Sequence, residues 1–182
     1  MAMMMIYNNL KYMKESLNKT ANYFIGIDES QMANKLNIKR NPKDLHITIA
    51  LLGEQSKDNI KKIKKHISDK AKSLTSFNTK APFYATFGEK YPHLGVENNV
   101  RLRKLYNKFN TNTNWSFLPH ITIGDISDFN TLPEDSNITL PINNITLFKT
   151  ISNEPGRYKK IQKVDLKNPS IFTKFLDFMM GR

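Results

Sequence analysis

The sequence predicts an α+β fold in which a largely antiparallel sheet is combined with helices. Strand-like segments outnumber helix-like segments, and the two kinds are mixed along the chain. The 182 residues are 39% hydrophobic and 24% charged, which is typical of a globular domain with a buried core. No low-complexity block or linker divides the chain. We therefore expect one domain over residues 21–168, flanked by amphipathic helices over residues 1–20 and 169–182.

Apolar periodicity defines the elements of the first half of the chain. Ile60, Ile63 and Ile67 recur at steps of three or four, which predicts a helix with Ser56 as its N-cap. Proline within strands is confined to edges and bulges, so Pro82 indicates one of these in its strand. After the N-terminal helix, the predicted elements are a strand over residues 22–30, a short helix over 31–37, a strand over 44–54, the helix over 56–74 and a strand over 77–90.

The second half of the chain is predicted to be richer in strands. The sequence Glu-Pro-Gly-Arg at residues 154–157 is typical of a turn and joins two strand-like segments into a terminal hairpin. The apolar stripe of the C-terminal helix is predicted to pack on the domain, and a membrane or partner contact is the less favoured alternative. The predicted elements are a strand over residues 93–97, a helix over 99–110, and strands over 120–126, 142–153 and 158–166.

The net charge of +12 has two interpretations, which charge alone does not separate. One is a polyanionic partner, such as nucleic acid, nucleotide or an anionic membrane, and the other is the codon bias of an AT-rich genome. The chain contains no cysteine, so neither a disulfide framework nor a thiolate zinc site is expected. It contains no run of 18 apolar residues and no signal-peptide pattern, so we expect no membrane partner and a cytoplasmic location.

The motif His-x-Thr occurs twice, as His46 with Thr48 and as His120 with Thr122, each within a strand-like apolar run. Side chains of a strand alternate between faces, so histidine and threonine share one face and the neighbouring isoleucines share the other. Burial of an unpaired imidazole or hydroxyl costs about 1–3 kcal/mol, so these residues are favoured on the wall of a wet cleft. Because both copies place histidine and threonine on the face opposite the isoleucines, the sequence predicts that the two motifs form one shared functional site.

The paired motifs, in the context of "YFIGID", "HLGVENNVRLRKLYNKF" and "ITLFKTISNEPGRYKKIQKVDL", resemble the 2H phosphoesterase superfamily. Within it they resemble the branch of 2′-5′ RNA ligase-like proteins and 2′,3′-cyclic phosphodiesterases, and the resemblance extends from about Tyr23 to Leu166. It implies a bilobal fold with two largely antiparallel sheets around a central groove and pseudo-two-fold symmetry. One motif from each lobe faces that groove, and the chemistry of the superfamily is metal-independent cleavage of phosphodiesters.

The two histidines are the predicted acid and base of such a reaction. We assign His120 as base and His46 as acid, with the roles open to exchange, and Thr48 and Thr122 as donors to phosphate oxygens. Neither a metal site nor a cofactor is expected, because no His-x₃₋₄-His spacing or carboxylate cluster accompanies the motifs. Candidate substrate-binding residues are Tyr158 (or a packing residue), Arg157 (or an exposed turn), Ser152 and Lys149 at the rim, and Trp115 (or a hydrophobic anchor).

The predicted function is a metal-independent phosphodiesterase that acts on RNA 2′,3′-cyclic phosphate ends or on short oligonucleotides. One alternative is degradation of cyclic or 2′-5′-linked oligonucleotide immune messengers, as in viral and phage members of the superfamily, in the cytoplasm of the host. Another is a non-catalytic RNA-binding module, against which the retention of all four motif residues argues. A structural or scaffolding protein leaves the repeated motif unexplained. The sequence leaves the oligomeric state open.

Overall fold

The structure of the chain is a computed structural model. Most of the central domain is described, whereas the predicted N-terminal helix and most of the predicted C-terminal helix lie outside the described residues. The described residues are 23–36, 44–87, 91–110, 116–123, 135–151, 158–170 and 179.

Eight strands and three α-helices are present among the described residues. The strands are β1 Tyr23–Asp28, β2 His46–Gly53, β3 Phe77–Phe87, β4 Tyr91–Gly95, β5 His120–Thr122, β6 Asp135–Ile142, β7 Asn144–Thr150 and β8 Tyr158–Asp165. The helices are α1 Ala33–Leu36, preceded by a 3₁₀ turn over Ser30–Met32, α2 Lys57–Ala71 and α3 Val100–Phe109.

The eight described strands join one sheet in the order β6-β3-β4-β5-β2-β1-β7-β8. Its named strand pairs are antiparallel, which confirms the predicted α+β class. The sheet consists of two halves of four strands, β6-β3-β4-β5 and β2-β1-β7-β8, as expected for a pseudo-two-fold arrangement. The halves were expected as two sheets, but the pairing of Ile47 on β2 with Ile121 on β5 joins them into one.

The proline-containing strands β3 and β6 refine the sequence prediction. β3 has a register shift between Ala81 and Phe83, so Pro82 marks a bulge, while the strand itself lies between β6 and β4. β6 is a strand that the periodicity did not predict, because it begins with polar residues and contains Pro141. It lies at the edge of the sheet, where a strand tolerates proline.

The two long helices are capped by side chains and cover the isoleucine face of the sheet. The Ser56 side chain accepts a hydrogen bond from the backbone N–H of Asn59 at 3.2 Å, which confirms the predicted N-cap of α2. The Asn99 side chain caps α3 through the N–H of Leu102 at 2.9 Å. α2 packs against β7 and β8, and α3 packs against β2. Buried residues of these helices and of the motif strands form one core, which includes Ile47, Ile49, Ile67, Leu102, Leu105, Ile121 and Ile123.

An ionic cluster around the buried Asp28 ties β1 to β7 and β8. The Asp28 carboxylate lies 2.8 Å from the ammonium of Lys160 and 3.2 Å from that of Lys163. Burial by itself raises the pKa of Asp28, but hydrogen bonds from Lys160 and Ser30 outweigh it and hold this pKa below its usual range. The Asn144 side chain accepts from the N–H of Asp28 at 2.9 Å and donates to its carbonyl oxygen at 3.0 Å.

Glu29, next to this cluster, has a side chain that is 0% exposed. Its two carboxylate oxygens make no hydrogen bond in the structure. Burial, with a smaller contribution from the charge of Asp28, raises the pKa of Glu29 to about 8. The folded protein therefore keeps a proton on Glu29 at neutral pH, where the unfolded chain would release it.

This proton predicts a pH dependence of stability that depends on Glu29. Between pH 4.5 and about 8 the folded state binds one more proton than the unfolded state, so the free energy of unfolding falls as pH rises through this window. The loss is at most about 5 kcal/mol. Glu29→Gln should remove this pH-dependent loss. In urea unfolding, the free energy of unfolding of the variant should therefore rise relative to that of the unaltered protein from pH 5 to pH 8. The exposed Glu97→Gln is the control, and equal slopes for all three proteins would contradict the prediction.

Candidate active site

Both His-x-Thr motifs lie at the centre of the sheet, on the adjacent strands β2 and β5. Ile47 and Ile121 are antiparallel partners, so the register places His46 across from Thr122 and Thr48 across from His120. Side chains opposite each other in such a pair have Cβ atoms about 4.5–5.5 Å apart. All four side chains are half-buried, while both isoleucines are 0% exposed on the helix side. The fold therefore gathers the four motif residues on the face away from the core.

The two imidazole rings are held in the same way. Nδ1 of His46 donates to the carbonyl oxygen of Asp44 at 2.7 Å, and Nδ1 of His120 donates to the carbonyl oxygen of Leu118 at 2.8 Å. Because a carbonyl oxygen only accepts, each Nδ1 carries a hydrogen and the lone pair of the neutral ring is on Nε2. Nε2 is therefore the nitrogen that exchanges a proton at each histidine.

The His46 ring contacts three aromatic side chains. Its ring centroid is 4.8 Å from that of Phe24, 5.3 Å from Phe148 and 4.7 Å from Tyr158, which meets it edge-on. The buried rings of Phe24 and Phe148 are stacked on each other with centroids 4.8 Å apart. These contacts fix the plane of the His46 ring in addition to its hydrogen bond to Asp44.

His120 has a different neighbour, His93 on β4, whose ring centroid is 5.4 Å away. His93 pairs with Thr122 in the register of β4 and β5, and its side chain is buried. Burial lowers the pKa of His120 and outweighs the opposing effect of its hydrogen bond to Leu118. At neutral pH His120 is accordingly held as the neutral ring, which is the form that accepts a proton.

His93 is the residue of this site that the sequence analysis missed. It belongs to no motif, and the local pattern suggested only the start of a strand after Pro92. It is the third residue of β4, and only the pairing of β4 with β5 brings it to His120. A local signal exists in the alternation of His93 with Gly95, which places both on the same face of the strand.

The structure brings one of the predicted substrate-binding residues to the motifs. The ring of Tyr158 contacts His46, and its backbone N–H donates to the carboxylate of Asp44 at 3.3 Å. Lys149 instead places its ammonium 5.7 Å from the ring centroid of Tyr23, on the face of β7 opposite to Phe148. The other three candidates, Trp115, Ser152 and Arg157, lie outside the described residues.

The described part of the chain shows neither a metal-binding cluster nor a membrane-spanning helix. No group of three or more histidine, cysteine, aspartate or glutamate side chains is placed there to hold a metal ion. Among the helices of these described residues, none has the length and apolar character needed to span a membrane.

Sequence comparison gives a partial match. No protein-family model matches the chain. An RNA 2′,3′-cyclic phosphodiesterase of Thermotoga maritima is 30% identical over 95 residues, which is 46% of this chain and 51% of that protein. The chain thus spans about half the length of the curated relative it matches.

Structural comparison covers most of the chain. E. coli LigT complexed with 3′-AMP aligns with a TM-score of 0.64 and 20% identity over 80% of this chain and 98% of LigT. The protein TT0787 of Thermus thermophilus aligns with a TM-score of 0.63 and 15% identity over 81% of this chain and 99% of that protein. The chain therefore shares the fold of LigT and TT0787. The shared fold and the partial sequence match agree with the resemblance that the paired motifs carry.

Gly26 on β1 lies across from Thr48 and has no room for a side chain. A Cβ atom there would lie 2.8 Å from the carbonyl oxygen of Ile47 and 3.3 Å from the ring of Phe148. We expect Gly26→Ala to lower the free energy of unfolding by about 1–3 kcal/mol. Because Phe148 also supports His46, the imidazole NMR signals of His46 should shift.

Gly53→Ala is the matched control for this prediction. Gly53 lies at the end of β2 with φ of 68° and open space around it, so its replacement costs backbone strain of about 1–2 kcal/mol. It should leave the His46 signals unchanged. Equal shifts of these signals in both variants would show that general weakening of β2, rather than displacement of Phe148, affects the histidine.

Proposed function

We propose that this protein is a metal-independent phosphodiesterase that cleaves phosphodiester bonds in RNA 2′,3′-cyclic phosphate ends or in short oligonucleotides. One observation carries the proposal: two His-x-Thr pairs lie on adjacent paired strands, with both rings held through Nδ1 so that Nε2 exchanges the proton. Cleavage of a phosphodiester needs a base for the attacking oxygen and an acid for the leaving oxygen, and a pair of histidines supplies both.

His120 is the base and His46 the acid in the proposed reaction. Nε2 of neutral His120 takes a proton from the attacking water or 2′-hydroxyl as its oxygen bonds to phosphorus. The bond from phosphorus to the leaving oxygen breaks, and that oxygen receives the proton of the His46 imidazolium. Thr48 and Thr122 donate hydrogen bonds to the non-bridging phosphate oxygens, where negative charge increases in the transition state. The burial that lowers the pKa of His120 supports this assignment.

A nucleotide substrate is supported by three considerations. The net charge of +12 attracts polyanions. The Thermotoga maritima relative is named as a phosphodiesterase of RNA 2′,3′-cyclic ends, and E. coli LigT binds 3′-AMP in its structure. Cyclic and 2′-5′-linked oligonucleotide messengers contain the same reacting group, so they belong in the substrate panel that tests the proposal.

Turnover with EDTA present tests this function. The unaltered protein is incubated with 2′,3′-cyclic nucleotides, 2′-5′ oligoadenylate, cyclic dinucleotides and cyclic trinucleotides, and the products are separated by chromatography. His46→Ala and His120→Ala should each lower the rate about 10²–10⁴-fold. His66→Ala, at an exposed histidine of α2, is the matched control and should leave it unchanged. The proposed activity would be refuted if the unaltered protein showed no turnover, or if a His46→Ala/His120→Ala variant turned over substrate equally well. RNA binding without turnover would indicate a binding module.

The pH dependence of kcat/KM tests the assignment of base and acid. We expect a bell-shaped profile, because the reaction needs neutral His120 and protonated His46. Activity should rise with pH through the pKa of His120, and the midpoint of this acidic limb should lie below 6.5 because burial lowers that pKa. An acidic limb centred above 6.5 would assign the base to another group.

A further inference from the structure

Phe83 on β3 is a large aromatic side chain that the core does not use. Its side chain is 48% exposed, and it is absent from the buried cluster and from the residues that pack against it. The next residue, Tyr84, points to the other face and packs against the core. The packing of the fold therefore accounts for Tyr84 but leaves Phe83 unexplained.

The strand register places Phe83 on the same face as His120. Phe83 pairs with Gly95 on β4, and Gly95 pairs with His120 on β5. Residues directly opposite each other in an antiparallel sheet project from the same face. Neighbouring strands are about 4.7–4.9 Å apart, so the Cα atoms of Phe83 and His120 are roughly 10 Å apart along this row.

Gly95 allows the ring of Phe83 to lie closer to His120 than this spacing suggests. A Cβ atom on Gly95 would overlap the Cε2 and Cζ atoms of Phe83, which shows that the ring lies over the Gly95 backbone. The ring thus occupies the place of a side chain on β4, the strand next to His120. It presents exposed aromatic surface on the face of the sheet that carries the motif residues, in the same row as His120.

We propose that Phe83 forms a nucleobase subsite, on which one base of the substrate stacks while its phosphate lies between the two motif histidines. The inference rests on the proposed function, because the occupant is part of the same nucleotide. A base is the fitting occupant for two reasons. Aromatic side chains stack on bases irrespective of sequence. A base is also joined to the phosphate through one ribose, which matches a ring that lies over Gly95 on the strand next to His120.

Equilibrium binding tests this subsite independently of catalysis. The 182-residue chain is titrated calorimetrically, with EDTA present, against two compounds. One is 3′-AMP, and the other is methyl β-riboside 3-phosphate, which keeps the ribose and phosphate but lacks the base. The unaltered protein should bind 3′-AMP more tightly. Phe83→Ala should weaken 3′-AMP binding roughly 5- to 150-fold and leave the base-free compound unchanged. Phe83→Trp should retain the preference for 3′-AMP.

Two further variants control for other causes of weak binding. Val100→Ala truncates a side chain of α3 that is 69% exposed, and should change neither affinity. Gly95→Ala should weaken 3′-AMP binding by displacing the ring of Phe83, and this effect should be much smaller in the Phe83→Ala background. Such non-additivity is expected only if Gly95 acts through the ring.

Three results would overturn the subsite: equal affinity of the unaltered protein for the two compounds, an unchanged 3′-AMP affinity in Phe83→Ala, or equal weakening of both compounds. The proposed function can fail separately. Absence of turnover refutes the phosphodiesterase, whereas the binding comparison still decides whether Phe83 holds a base. Conversely, if the protein turns over substrate but Phe83→Ala does not change 3′-AMP binding, the phosphodiesterase is supported and the Phe83 subsite is refuted.

Discussion

The antiparallel pairing of Ile47 with Ile121 is the constraint on which the rest of the site depends. Both isoleucines are fully buried, and a slip of either strand by one residue would move its isoleucines to the face away from the core and its histidine and threonine into the core. Exposing one isoleucine costs about 1.5–3 kcal/mol, and burying unpaired polar groups adds to this. The hydrophobic core therefore sets the register, and the register sets which motif residues lie across from each other.

Equivalent backbone positions do not give the two histidines equivalent surroundings. On one side β1, β7 and β8, which the Asp28 cluster holds together, supply the rings of Phe24, Phe148 and Tyr158 around His46. On the other side β4 supplies His93, and burial lowers the pKa of His120. Two identical side chains can take opposite proton-transfer roles when their environments separate their proton affinities. The difference lies in the strands next to the motifs rather than in the motifs themselves.

Features set by residues close together in the sequence could be predicted from it, whereas features set by pairing between distant strands could not. Alternation within one strand suffices to place His46 and Thr48 on a face opposite Ile47, and a single side chain, Ser56, marks the start of α2. The joining of the two halves into one sheet depends on pairing between β2 and β5, which are distant in the chain. His93 and the position of Lys149 likewise depend on strand register. β6 was not predicted because it begins with polar residues and contains Pro141, and its place at the edge of the sheet, where proline is tolerated, depends on pairing with β3.

The same distinction separates reaction chemistry from substrate preference. The chemistry requires only groups that exchange protons and donate hydrogen bonds at the central strands, and a repeated short motif encodes these. Recognition of the rest of a nucleotide must come from side chains further along the sheet, where distances from His120 are fixed by the number of intervening strands. Phe83 and Gly95 lie in one such row, in line with His120. Neither belongs to the motifs, so preference for a base can change there without altering the four residues proposed to carry out the reaction.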